Sequence, residues 1–291
     1  MSTSPLAAYG VAARRRRTDQ FVRGLIVAAT VLAMIPLALI LYYLLLKGLG
    51  AISWNFLTTD PSGNTFFGAA NIGGIRSALV GSLLIVGLAS LISIPIGVAV
   101  ALWLVEYGRK SALARAVRFF VDILTGVPAI VFGLFIYILF VEGTGYAGYK
   151  GSLALVLLML PIVIRSAEVI FELVPIELRE SALALGAPRW RTIARVTLPT
   201  ALPGLMTGVL LAIARAAGET APLLFTAGST MKTTVNLGSF MNSLPVQIYN
   251  DVTSPTPAVE QRAWGTALTL VVLILLLNVA ARFASRRSRL G

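Results

Sequence analysis

A chain of 291 residues that is 57% hydrophobic and only 12% charged, with mean hydropathy +0.86, has too few charged side chains for an ordinary soluble surface. It contains no cysteine and no histidine, which excludes disulfides, thiolate and imidazole metal sites, and the usual nucleophile and base pairs of hydrolases. A formal charge of +12 would suit nucleic acid in a soluble protein, but beside apolar spans it is a topology signal, and no nucleic-acid partner is expected.

Residues 1–23 form a basic tail containing Arg14, Arg15, Arg16, Arg17 and Arg23, expected to be cytoplasmic and disordered through Asp19. The apolar run from Gly24 to Leu46 exceeds the about 7–15 residue core of a signal peptide and no small-residue cleavage site follows, so it reads as the first membrane span. Five more follow: Ala78 to Val105, Phe119 to Val141, Ser152 to Phe171, Ala201 to Phe225 and Ala263 to Ala284. At about 1.5 Å per helical residue each has the length that a hydrocarbon core about 30 Å thick requires. None alternates apolar and polar residues, so they are helices and not barrel strands. The expected fold is an all-α membrane protein with six transmembrane helices and a single membrane domain over residues 24–291. No internal repeat is evident.

The basic residues fix an expected orientation. With the amino terminus inside, cytoplasmic segments hold seventeen of the 24 basic residues, and the outer loops hold five: Lys47, Arg76, Lys150, Lys232 and Arg262. That bias puts both termini in the cytoplasm. Pro95, Pro128 and Pro161 fall inside spans and read as kinks. Asp122, near the inner end of the third span, reads as interfacial. The outer stretch GTGYAGYKG, Gly143 to Gly151, is a flexible turn and not a phosphate-cradling loop: Tyr149 stands where such a loop has lysine.

Two segments outside the spans are too long to be turns, residues 172–200 inside and 226–262 outside. The first reads ELVPIELRESALALGAPRWRTIARVTLP. Pro175 and Pro188 suit helix starts and Gly186 suits a left-handed helix end, so two short helices joined by a tight turn are expected. Trp190, Ile193, Ala194 and Thr197 share one helical face, and Pro199 is expected to stop the second helix before the fifth span.

This segment resembles the signature of the ABC importer permeases: E-A-A, three residues, Gly, nine residues, an aliphatic, one residue, then L-P. The match lies at Glu180, Ala182, Gly186, Val196, Leu198 and Pro199, with Ser181 replacing the first alanine. The resemblance implies the type I importer permease fold with a permease core over about residues 75–286. It makes 172–200 a coupling loop that seats in a groove of a cytoplasmic ATPase. The bland alternative is an amphipathic helix lying on lipid headgroups. No G-x-x-x-x-G-K-[ST] loop occurs, so ATP and Mg are expected to be used by a partner ATPase, with no catalytic residue and no cofactor in this chain.

The fifth span, ALPGLMTGVLLAIARAAGETAPLLF, places Arg215 and Glu219 four residues apart in an apolar helix. Such charges cost about 2.5–3.5 kcal/mol each at mid-membrane and belong on a bundle interior or a wet cavity. Pro222 offers no N–H to the carbonyl of Gly218, so the helix is expected to bend or open there. A guanidinium suits transient two-bond contact with an oxyanion, which makes Arg215, Gly218, Glu219 and Pro222 a candidate translocation path. A structural ion pair is the alternative. Arg165 and Glu168, three apart in the fourth span, are a weaker second candidate. Gly204 and Gly208 read as a close-packing pair.

Arg215 to Gly228, RAAGETAPLLFTAG, resembles the phosphate-specific branch of these permeases, the PstA family. So do NIGGIRSALVGSLL, PIGVAVALWLVEYG, GVPAIVFGLF, LPIVIRSAE and SLPVQIY, over about residues 50–290. The resemblance implies partnership with a homologous PstC-like permease, two PstB-like ATPase subunits and an external PstS-like phosphate-binding protein in the lipid bilayer of the inner membrane. The residues by themselves leave sulfate, molybdate or another oxyanion open as cargo. An ion-coupled carrier is a remoter reading that the coupling signature opposes.

Overall fold

The computed structural model describes residues 5–61, 73–108, 111–254 and 256–287; of the basic residues counted above, Arg109, Lys110 and Arg289 lie outside that range, as do 1–4 of the tail and 288–291 of the membrane domain. Among the described residues there is no strand, only an isolated bridge between Pro61 and Gly73. The first helix, α1, runs without interruption from Pro5 to Gly48 and corrects the expectation of a disordered tail. The reason is local: the alanine- and arginine-rich stretch before the span consists largely of strong helix formers, with no turn-forming cluster to separate it from the apolar run.

After α2 (Trp54–Thr58), α3 (Arg76–Glu106) spans without a break despite Pro95. The expected third span is instead two pieces, α4 (Ala112–Gly126) and α5 (Ala129–Ile136), the second prolonged by a π turn over Tyr137–Val141. They meet at 103°. Pro128 explains the bend, because it cannot donate to a helical carbonyl and it drives Val127 into the extended region, at φ −72° and ψ 129°. Among the described residues, five helices are long and apolar enough to cross a membrane, and the bent pair makes a sixth crossing only if counted together.

α6 (Gly148–Glu172) is the central post, with α3 as its most extensive neighbour and α9 (Leu198–Ala217) second. Gly204 and Gly208 have the expected packing role: a Cβ at either would lie 2.7 Å from Ile170 Cγ2 or 2.6 Å from Ser166 Cβ of α6. One buried cluster joins Ile85, Phe132, Leu155, Met159, Ala212 and Leu223, and a second joins Leu104, Val121, Ile164, Phe171 and Leu205. In lipid such clusters act by close contact, since an apolar solvent offers no hydrophobic gain. α1 stands apart, touching chiefly α12 (Pro257–Arg287).

At the end of the bundle away from residues 172–200, α11 (Leu244–Val252) is fastened to α12 by a buried polar chain. Arg262 donates to both oxygens of Asp251 at 2.9 and 2.7 Å, Gln247 to Asp251 at 2.7 Å, and Asn242 to Gln247 at 2.6 Å. The turn after α5 is pinned as well. Lys150 is buried and donates back to Thr144 Oγ1 at 2.8 Å and to the Gly145 carbonyl at 2.6 Å.

Candidate functional site

The fifth span breaks where its charges lie. α9 ends at Ala217, and the chain resumes as α10 (Ala221–Thr226) after three residues outside helix, Gly218, Glu219 and Thr220. In the break the N–H groups of Gly218 and Glu219 turn to carbonyls three residues back, Arg215 and Ala216, each at 3.2 Å. Pro222 sits in the first turn of α10, where its missing N–H costs nothing, so the opening falls one turn before the proline. A Cβ on Gly133 of α5 would lie 2.6 Å from Pro222 Cα, so the two half-helices cross in near backbone contact.

The pair at this break is loose. Arg215 Nε and Glu219 Oε1 are 3.7 Å apart, and the side chains are 55% and 21% exposed. That separation is too long for a hydrogen bond. A half-exposed guanidinium with free donors, three residues before the helix opens at Gly218, can donate to a tetrahedral oxyanion without first breaking a hydrogen bond of its own.

Arg165 and Glu168 occupy a different environment. Glu168, nearly fully buried, accepts from Arg118 Nε at 2.5 Å and Arg165 Nη1 at 3.0 Å, while Arg165 Nη2 reaches Asp122 at 3.3 Å. Arg118 also donates to the Leu104 carbonyl at 3.2 Å. Two cations and two anions thereby close on each other across α4, α6 and the end of α3. Sequence reasoning paired Arg165 with Glu168 through their spacing but missed Arg118, which lies 50 residues from its partner and reads in sequence only as a topology charge.

Residues 172–200 form the two short helices and tight turn expected of them. α7 (Ile176–Ala184) starts after Pro175, and α8 (Arg189–Thr192) starts after Pro188. Gly186 has φ +81°, and the bonds from Gly186 N–H to the Leu183 carbonyl (2.9 Å) and from Ala187 N–H to the Ala182 carbonyl (3.1 Å) complete a Schellman turn. Glu180, Leu198 and Pro199 are exposed and Ala182 is half-buried. Leu185 and Trp190 stand out on either side of the turn, 89% and 63% exposed.

Two details depart from expectation. The face of Trp190, Ile193, Ala194 and Thr197 does not form, because residues Ile193–Thr197 are a π turn and the buried positions are Thr192 and Thr197, five apart. Pro199 does not stop the helix but lies in the first turn of α9; the π turn widens the backbone where its ring would press on the carbonyl of Arg195.

Bundle, broken span and two short helices joined by a glycine turn fit an inner-membrane, multi-pass transport permease of the ABC importer kind. Solved permeases share the fold: TM-score 0.57 to a chain of the MetNI methionine ABC transporter, with 20% identity over 74% of this chain and 94% of that one. A bacterial ABC transporter involved in import of the acidic polysaccharide alginate gives TM-score 0.61 at 16% identity, over 95% and 98%. The family described as binding-protein-dependent transport system inner membrane component matches residues 93–290. Among curated relatives, the phosphate transport system permease protein PstA 1 of Mycobacterium tuberculosis is 40% identical over 95% of this chain and 92% of its own length. PstA of Yersinia pestis is 40% identical over 94% and 92%. The chain belongs to the PstA family of binding-protein-dependent permeases, whose importers in general combine a second permease, an ATPase and a binding protein.

Proposed function

We propose that this chain forms, with a PstC-like second permease, the path by which inorganic phosphate enters the cell, driven by two PstB-like ATPase subunits and supplied by an external PstS-like binding protein. The relatives named for phosphate transport support the cargo. The observation that carries the mechanism is Arg215, half exposed beside the break at Gly218 to Thr220 with its donors free. Phosphate takes two parallel bonds from that guanidinium, and Glu219 keeps the contact transient by offering the cation an alternative partner. Residues 172–200 carry the ATPase stroke through Glu180, Ala182, Gly186, Leu198 and Pro199, with the exposed Leu185 and Trp190 as apolar contacts. The chain itself has no catalytic centre and holds no cofactor; ATP and Mg serve the partner.

Both termini lie in the cytoplasm in this reading, so a probe at Ser254→Cys labels from outside and one at Ser285→Cys does not. The chain has no native thiol to interfere. The direct test is labelled phosphate uptake into liposomes holding the four-part complex. Uptake should require ATP and the binding protein and resist excess sulfate or molybdate; competition by either oxyanion would overturn the cargo assignment.

A further inference from the structure

Arg179 belongs to α7, outside every span, yet it is only 8% exposed. Its guanidinium reaches two spanning helices at once. Nη2 donates to the carbonyl of Phe171, in the last turn of α6, at 2.5 Å, and Nη1 lies 3.3 Å from Oε1 of Glu106, the last residue of α3. Glu106 does nothing for its own helix, since a carboxylate at a helix carboxyl end opposes the macrodipole. Its place is accounted for by the cation that α7 brings to it.

The contact with Glu106 is also unfinished. Arg179 Nε and Glu106 Oε1 are both buried and neither makes a hydrogen bond, a condition rare enough in folded proteins to call for a cause. Beside them lies a cavity of about 280 Å³ bounded by Tyr107, Ile176, Glu180, Leu183 and Arg189. There is thus room for α7 to move against the end of α3, and hydrogen-bonding capacity that such a movement would satisfy. α3 and α6 are the most extensively packed helix pair, so a shift imposed at their shared end is carried along both instead of being absorbed locally.

We propose that Arg179 is the positioning residue that fastens the coupling segment to α3 and α6, and that its contact with Glu106 closes to a hydrogen-bonded pair when the ATPase acts on α7. This rests on residues 172–200 being the ATPase-coupling segment. The test uses the reconstituted complex with Arg179→Ala, Glu106→Ala and the double variant, measuring ATPase co-purification, ATP hydrolysis, and phosphate imported per ATP.

Assembly is expected at wild-type levels with hydrolysis within about twofold, while phosphate per ATP falls about tenfold. The double variant should be no worse than Arg179→Ala alone, because Glu106 acts through its contact with Arg179. An unchanged phosphate-to-ATP ratio overturns the proposal, and so does a parallel fall of uptake, hydrolysis and assembled complex, which marks a purely structural contact. If the alanine variants do not assemble, Arg179→Lys decides: it keeps the cation but cannot bridge both acceptors, and a normal ratio there overturns the proposal equally. Gly186→Val separates the two layers. If it too couples normally, the coupling segment itself is misassigned; if it uncouples while the Arg179 and Glu106 variants do not, only the present inference falls.

Discussion

At one end of α6, Glu168 is gripped by Arg118 at 2.5 Å and by Arg165 at 3.0 Å, and Arg165 also reaches Asp122 at 3.3 Å. In the fifth span, Arg215 and Glu219 stand 3.7 Å apart with more than half of the arginine exposed. Both are arginine and acid on spanning helices, yet the acid of the first is buried and hydrogen-bonded by two guanidiniums, whereas that of the second receives no hydrogen bond from its arginine. A closed, neutral cluster fixes how α4 lies on α6 beside the bend at Pro128. An open pair at a helix break leaves a cation that a passing anion can use. What separates the two pairs is therefore whether the acid is buried and hydrogen-bonded, and not the presence of charge.

Removing one acid from each site should give opposite results. Glu168→Ala strands Arg118 and Arg165 and should cost about 3 kcal/mol or more of stability, read as a large fall in the unfolding temperature of the detergent-purified chain. Glu219→Ala should leave that temperature nearly unchanged, because the pair it breaks is too long to contribute more than about 0.5 kcal/mol. Equal falls for both variants would erase the distinction.

Gly186→Val tests the proposed coupling role of residues 172–200. A β-branched residue at φ +81° strains the Schellman turn by about 1–2 kcal/mol, so the chain should still insert while ATPase stimulation by the binding protein is lost. Retained stimulation would contradict the assignment. A smaller effect is expected of Arg215→Lys, which keeps the charge and loses the fork: uptake should fall about tenfold with the complex assembled.

The mildest effect concerns the far end, where Asp60 accepts from Arg76 and Thr233 and ties the start of α3 to residues 226–262. Burial pushes its carboxyl up, but the bonds from Arg76 and Thr233 outweigh that and hold it below its ordinary value. With a lowered folded value, the stabilisation is complete above the unfolded pKa and is lost as pH falls through the folded one. The gap in unfolding temperature between wild type and Asp60→Asn should thus be flat above about pH 5 and shrink on acidification.

The sequence made the charged pair, the coupling turn and the spans legible because each is local. Arg215 and Glu219 are four apart, Gly186 and its flanking prolines lie within fourteen residues of one another, and apolar length alone marks a span. What could not be read was set by distance or by competition. Arg118 meets Glu168 across 50 residues, and Arg179 meets Glu106 across α4, α5 and α6, with no spacing to announce either. The bend at Val127 and Pro128 was visible as a proline but not as 103°, since Pro95 and Pro161 sit in helices that continue through them. Whether a proline breaks a helix depends on what packs beside it. The π turn at Ile193–Thr197 likewise follows from the helix continuing through Pro199, which a stop signal in sequence would have forbidden.

The central claim is that Arg215 serves cargo and not packing, and the paired neutralisation Arg215→Gln with Glu219→Gln addresses it most directly. If the two charges exist to satisfy each other, removing both leaves nothing unpaired and uptake should return. The free donors of Arg215 predict otherwise: the double variant should assemble in full, with binding-protein-dependent ATP hydrolysis measurable, and import no labelled phosphate at matched abundance. Recovery of uptake would return Arg215 to a packing role and contradict the account.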